Sequence, residues 1–130
     1  MHQCIICLGS NDEAPQNMAF AYSMLEAEFS IIEWGEAVYT PAEGTTTKSI
    51  YLNRGARFYT DKNEEEVKKI FKSIEKMCGR TASSKSNGKI PLDIDLLLFD
   101  GKAVKPDDLS KAYVKIILSS IASFDFLSKR

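Results

Sequence analysis

The sequence predicts an α+β fold with the split-βαβ, ferredoxin-like order βαββαβα and a largely antiparallel sheet. Three observations predict it. Apolar residues recur at helical spacing in three segments, and in four others they alternate or run continuously as in strands. Turn signals built from Gly, Pro, Asn and Ser separate these segments. The chain has 130 residues, a length that suits one domain over 1–130 and leaves no room for a second core of ordinary size.

The elements follow in order. Gln3 to Leu8 reads as a strand ending in the turn signal Gly9-Ser10-Asn11-Asp12, and Pro15 marks the start of a helix. Met18, Tyr22, Leu25 and Phe29 recur at helical spacing, so the segment from about Ala14 to Phe29 buries that stripe. A second strand is expected from Ile31 to Tyr39, stopped by Pro41 and Gly44. Thr40 to Ser49 has no apolar period and reads as a loop, of a length that often carries ligand contacts. Ile50 to Tyr59 sets Ile50 and Leu52 on one face and Tyr51 and Asn53 on the other, the pattern of a half-buried strand. Asn63 and Glu66 form a capping-box pattern, after which Val67, Ile70, Phe71, Ile74, Met77 and Cys78 complete an amphipathic helix ending before Gly79. Arg80 to Lys89 is polar and reads as a second loop. Pro91 to Phe99 is a strand, Gly101 marks a turn, and Leu109, Tyr113, Ile116, Ile117, Ser120 and Phe124 give a last helix.

Charge and composition narrow the function. Seventeen Lys and Arg against eighteen Asp and Glu give a formal net charge of -1, so no basic excess exists to neutralise a nucleic-acid backbone. No apolar run approaches the ~20 residues of a membrane span. The N-terminus lacks the pattern of a signal peptide, so the expected compartment is the cytoplasm. Cys4, Cys7 and Cys78 are odd in number, which fits a reducing compartment. Cys4 and Cys7 lie three apart on a strand and point to opposite faces, so they read as buried apolar residues rather than a redox or zinc pair.

The stretch Pro91-Leu92-Asp93-Ile94-Asp95-Leu96-Leu97-Leu98-Phe99-Asp100-Gly101 carries the chemistry. On a strand, Asp93 and Asp95 share one face, while Leu92, Ile94, Leu96 and Leu98 are expected on the other, in the core. The two Cβ atoms would lie about 6–7 Å apart. Such a pair either shares divalent cations or caps loops and meets lysines at an exposed sheet end. Tyr113 falls on the apolar stripe of the last helix, where spacing alone places it in the core. Glu75 and Arg80 fit ordinary helix-end electrostatics.

The run PLDIDLLLFDG is preceded by LGSN at Leu8 to Asn11, by YLN at Tyr51 to Asn53 and by Glu75 with Gly79-Arg80. In this order, over roughly Cys4 to Ile121, the chain resembles 6-hydroxymethyl-7,8-dihydropterin pyrophosphokinase of folate synthesis, as a divergent and C-terminally shortened member. The resemblance implies a ferredoxin-like domain that binds ATP with two Mg²⁺ ions, transfers pyrophosphate to the hydroxymethyl group of a reduced pterin and releases AMP. It implies metal at Asp93 and Asp95, with Arg80 beside them in catalysis. It implies the pterin at Thr40, Pro41, Tyr51, Asn53 and Tyr113, and the nucleotide at Glu75, Arg80, Leu96 and Lys111.

Several positions depart from the family pattern. Ile90 stands where a basic-loop arginine is expected, Asn87 at a tryptophan position and Lys111 at a helix arginine, and the family's later histidine has no counterpart. Lys85 and Lys89 are the nearby cations that could supply charge instead. The rival to an enzyme is therefore a catalytically impaired module of the same fold that keeps a pterin or nucleotide pocket. A third reading, an interaction domain assembled through sheet edges, explains the fold but not the motifs.

Overall fold

The computed structural model describes residues 1–41 and 49–129, without the side chains of Lys85 and of residues 122–129. The apolar run near the N-terminus becomes the centre of the sheet. Strand β1 (His2–Ser10) pairs antiparallel with β4 (Ile50–Thr60) on one side and with β5 (Asp93–Phe99) on the other. A strand flanked on both sides and covered on both faces needs apolar residues in both phases, which is why Cys4 to Leu8 is continuous. Outside β4 lie two short strands, β2 (Ile32–Trp34) and β3 (Val38–Pro41), and outside β5 lies β6 (Lys102–Ala103). All pairings are antiparallel. With β2 and β3 taken as one interrupted strand, the order matches the split-βαβ expectation.

Helices α1 (Ala14–Glu28) and α2 (Glu64–Met77) cover one face, where Met18, Leu25, Val67, Phe71 and Ile74 pack on Cys4, Ile6, Leu8, Ala56, Phe58, Leu92, Ile94 and Leu96. The capping box of α2 is formed: Glu66 N–H donates to Asn63 Oδ1 at 2.9 Å, and Asn63 N–H to Glu66 Oε1 at 3.0 Å. A single helical turn, α3 (Ser84–Asn87), lies within the second loop, and a 3₁₀ turn (Pro106–Ser110) precedes the last helix, α4 (Ala112–Lys129). Helix α4 covers the other face through Val114, Ile117 and Ile121, which pack with Cys7 and Leu97. Cys4 and Cys7 thus sit in separate clusters on opposite sides of the sheet. Among the described residues no helix is long and apolar enough to cross a membrane.

Four expectations are corrected. The strand foreseen over Ile31 to Tyr39 is two strands, because the register passes from Trp34↔Ala56 to Val38↔Asn53, one residue more on this side than on β4. This bulge lets Gly35 donate to Gly55 O at 2.9 Å and accept from Arg54 Nε at 2.7 Å. Thr40 and Pro41 belong to β3 rather than to a loop, a place open to proline because this is an edge strand; the rest of that loop, 42–48, lies outside the described residues. Leu98 does not join the Leu92 face. Ile6 pairs with Leu96 and Ile5 with Leu98, so Leu97 is an extra residue and the alternation inverts beyond it. Finally, Leu109 lies in the 3₁₀ turn, and Met77 and Ile116, placed on apolar stripes, are exposed, because each stripe is wider than the surface it meets.

Candidate active site

Helix α4 is aligned over Gly55, Cys7 and Leu97, so the α4-facing side of the sheet stays open beyond its first turn. There β1, β4 and β5 present Gly9, Tyr51, Asn53, Asp93 and Asp95 to a cleft of about 850 Å³. All the residues expected at the site line this one cleft: Asp93, Asp95, Arg80, Glu75 and Leu96, with Thr40, Pro41, Tyr51, Asn53, Tyr113 and Lys111.

The floor is set by strand pairing. Gly9 lies opposite Asn53. A Cβ at Gly9 would fall 2.8 Å from Asn53 Oδ1 and 3.7 Å from the Tyr51 ring, so the glycine of the LGSN run makes room for both side chains. Asn53 is 3% exposed, and its Nδ2 donates to Thr40 Oγ1 at 2.5 Å, which orients the amide. Burial, followed by the charge of Asp93, pushes the Tyr51 phenol above its ordinary value. Burial likewise raises Tyr113, with nearby Cys7, Asp95 and Asp93 adding to the effect.

The acidic wall is built on Arg80. Its Nη1 donates to Asp93 Oδ1 at 2.6 Å and to Leu92 O at 3.1 Å, and lies 3.3 Å from Glu75 Oε2. Glu75, almost fully buried, accepts the Ile94 N–H at 2.8 Å. Burial raises its pKa against the opposing pull of that hydrogen bond and of Arg80. A buried carboxylate held this way fixes the β5 backbone between the two aspartates.

Asp93 and Asp95 behave as one unit. Burial, then the charge of Asp93 and their mutual hydrogen bond, pushes Asp95 up to about 7. For Asp93, burial is outweighed by the hydrogen bonds to Asp95 and Arg80, which hold it below the usual carboxylate range. Two crowded carboxylates, one reluctant to ionise beside the other, form a hard-oxygen donor set that a divalent cation relieves. Among the described residues no group of three or more His, Cys, Asp or Glu is placed to hold a metal. Two protein carboxylates suit Mg²⁺, which takes its other ligands from water and substrate phosphates.

The second loop is tethered at both ends, by Arg80 at its start and by Asn11 at its close. Asn11 Oδ1 accepts from Ile90 N–H at 2.6 Å, Asn11 N–H donates to Ile90 O at 3.1 Å, and Asn11 Nδ2 donates to Gly88 O at 2.8 Å. Asn11 had a sequence signal, as the last residue of LGSN. Lys72, Lys105 and Asp108 also line the cleft and had none, since a lysine on an exposed helix face or loop is ordinarily solvated. Lys111 is held by Asp108, Nζ to Oδ1 at 3.0 Å. Lys89 does not line the cleft, and the Lys85 side chain lies outside the described residues.

A comparison with curated proteins finds no match. A family model described as 7,8-dihydro-6-hydroxymethylpterin-pyrophosphokinase (HPPK) matches residues 5–123, nearly the whole chain. That span contains every side chain of the cleft described above. The chain therefore belongs to the 7,8-dihydro-6-hydroxymethylpterin-pyrophosphokinase family of ATP-dependent enzymes, which transfer pyrophosphate from ATP to hydroxymethyldihydropterin in folate synthesis.

Proposed function

We propose that this chain performs the family's transfer in a Mg²⁺-dependent manner, with Asp93 and Asp95 as the metal-holding pair. The observation that carries the reading is that this pair shares one cleft with Tyr51, Asn53 and Tyr113. Releasing AMP while moving pyrophosphate requires the bond between the α- and β-phosphates to break as the pterin hydroxymethyl oxygen bonds to the β-phosphorus. When bound, Mg²⁺ supplies charge neutralisation and polarisation of the phosphate oxygens.

The remaining work falls to side chains. Tyr51 and Tyr113 offer aromatic faces to the flat pterin, Asn53 pairs with its donor and acceptor edge, and Thr40 and Pro41 close that end. Glu75, Arg80, Leu96 and Lys111 border the nucleotide, and Arg80 positions Asp93. Catalysis on this plan is positioning and electrostatics. Ile90, 7% exposed and aliphatic where the family pattern has a cation, favours a turnover below the usual kinase range of roughly 1–100 per second.

The test is AMP release from ATP with reduced pterin, with and without Mg²⁺. Slow, metal-dependent release that Asp93→Ala or Asp95→Ala abolishes is the expected result. Absence of AMP from a protein that still binds an oxidised pterin analogue would move the chain to the impaired binding module.

A further inference from the structure

We propose that Lys72 and Lys105 are the phosphate-binding cations of this chain, reaching the nucleotide's polyphosphate from two separate elements; the proposal rests on the nucleotide reading above. Among the described residues, the cations lining the cleft are Lys68, Lys72, Arg80, Lys105 and Lys111. Three of them are engaged. Lys68 Nζ is 2.9 Å from Glu64, Arg80 Nη1 is 2.6 Å from Asp93 and 3.3 Å from Glu75, and Lys111 Nζ is 3.0 Å from Asp108. Among the described residues, Lys72 and Lys105 line the cleft without an ion-pair partner.

Their placement brackets the acidic floor. Lys72 projects from α2 one helical turn before Glu75 and lowers the pKa of that carboxylate. Lys105 follows β6, the strand paired with the end of β5, and lines the same cleft as Asp93 and Asp95. Both are exposed, so neither has been desolvated, and a flexible four-carbon stem lets each ammonium move onto an incoming anion. Metal ions held by Asp93 and Asp95 must answer those carboxylates as well as the triphosphate, and with Arg80 kept on Asp93 negative charge is left over on the polyphosphate. The position that would have carried the missing guanidinium, Ile90, is apolar and buried, and Lys111 is committed to Asp108. Among the described residues, that leaves these two lysines to meet the polyphosphate. They had no sequence signature because nothing but the cleft brings them together.

Calorimetric binding of a non-hydrolysable ATP analogue with Mg²⁺, and of AMP in parallel, tests this on the full chain. Removing one charge-assisted hydrogen bond should weaken the triphosphate analogue by about tenfold in Lys72→Ala or Lys105→Ala. AMP affinity should be unchanged, Lys72→Arg and Lys105→Arg should keep most of the binding, and Lys69→Ala, on the same helix but outside the cleft, should match wild type. In turnover the KM for ATP should rise while affinity for a pterin analogue holds. Alanine variants that bind the triphosphate analogue like wild type, or that lose AMP equally, overturn the proposal. A wild-type chain that binds neither nucleotide overturns the nucleotide reading itself.

Discussion

Replacing Gly55 by alanine tests whether the close seat of α4 on the sheet shapes the cleft. A Cβ at this position would overlap Ile117 Cγ2, lie 2.8 Å from Ile121 Cδ1 and 3.4 Å from Ile6 O. Carbon atoms prefer separations of about 3.5–4.0 Å, so the Ile121 methyl alone would have to retreat by about 0.7–1.2 Å. Ile117 and Ile121 are 1% and 5% exposed, which leaves no space to rotate into, and the helix must lift. Overpacking of this kind costs about 1–3 kcal/mol. For a chain of this length each kcal/mol lowers Tm by roughly 3–5 °C. Tyr113 opens α4, so lifting the helix also withdraws that ring from the cleft, and a pterin analogue should bind several-fold more weakly. Thermal unfolding by circular dichroism and fluorescence titration of the analogue measure the two effects. Gly55→Ala combined with Ile121→Val should recover part of both, because the second change removes the Cδ1 methyl that lies 2.8 Å from the added Cβ. A single variant with wild-type Tm and wild-type affinity would refute the idea that α4 holds the site in shape.

Three further outcomes follow from the site and its scaffold. Asp95→Asn removes one of two crowded carboxylates, so it should raise Tm at pH 8 in metal-free buffer while ending Mg²⁺-dependent transfer; a lower Tm would argue that Asp95 is structurally paired. Burial pushes the Cys4 thiol up to about 12 and raises Cys7 and Cys78 as well. Since the thiolate is the reactive form, a thiol reagent at pH 8 should modify the less buried Cys78 first and reach Cys4 and Cys7 only in denaturant; fast native labelling of either would contradict their burial. Asn63→Ala breaks the capping box and should cost about 0.5–2 kcal/mol in urea unfolding without changing affinity for the pterin analogue.

Much of this was legible in the residues, and the gaps have physical causes. Period-two and helical patterns located the four main strand segments and three long helices, because each buries one stripe against a common sheet. Asp93 and Asp95 could be paired from spacing because they lie before the Leu97 bulge; Leu98 could not be placed, because it lies after it. The break between β2 and β3 was hidden for a similar reason. A bulge inserts a residue without altering composition, so Ile31 to Tyr39 reads the same whether it is one strand or two. Of the cleft, the side chains fixed on β4 and β5 were inferable from strand faces, and those at Glu75, Arg80 and Lys111 from the family motifs. Lys72, Lys105 and Asp108 come together only through the path of the chain after β6 and the tilt of α2, which no local pattern encodes.

The two anchors of the second loop have a consequence for the entropy of ligand capture. With Arg80 fastened to Leu92 and Asp93, and Ile90 fastened to Asn11, the stretch between them is a handle fixed at both roots. A handle can swing over a bound molecule without sliding, and its span cannot drift out of line with the strands that carry its roots. Closing a loop whose ends are already held avoids the end-joining entropy that a free segment of the same length would surrender, a quantity that changes only slowly with length. Substitutions in the middle of the handle, such as at Ser83 or Ser86, therefore change what it touches, whereas a substitution at Asn11, far away in sequence, changes whether it is a handle at all.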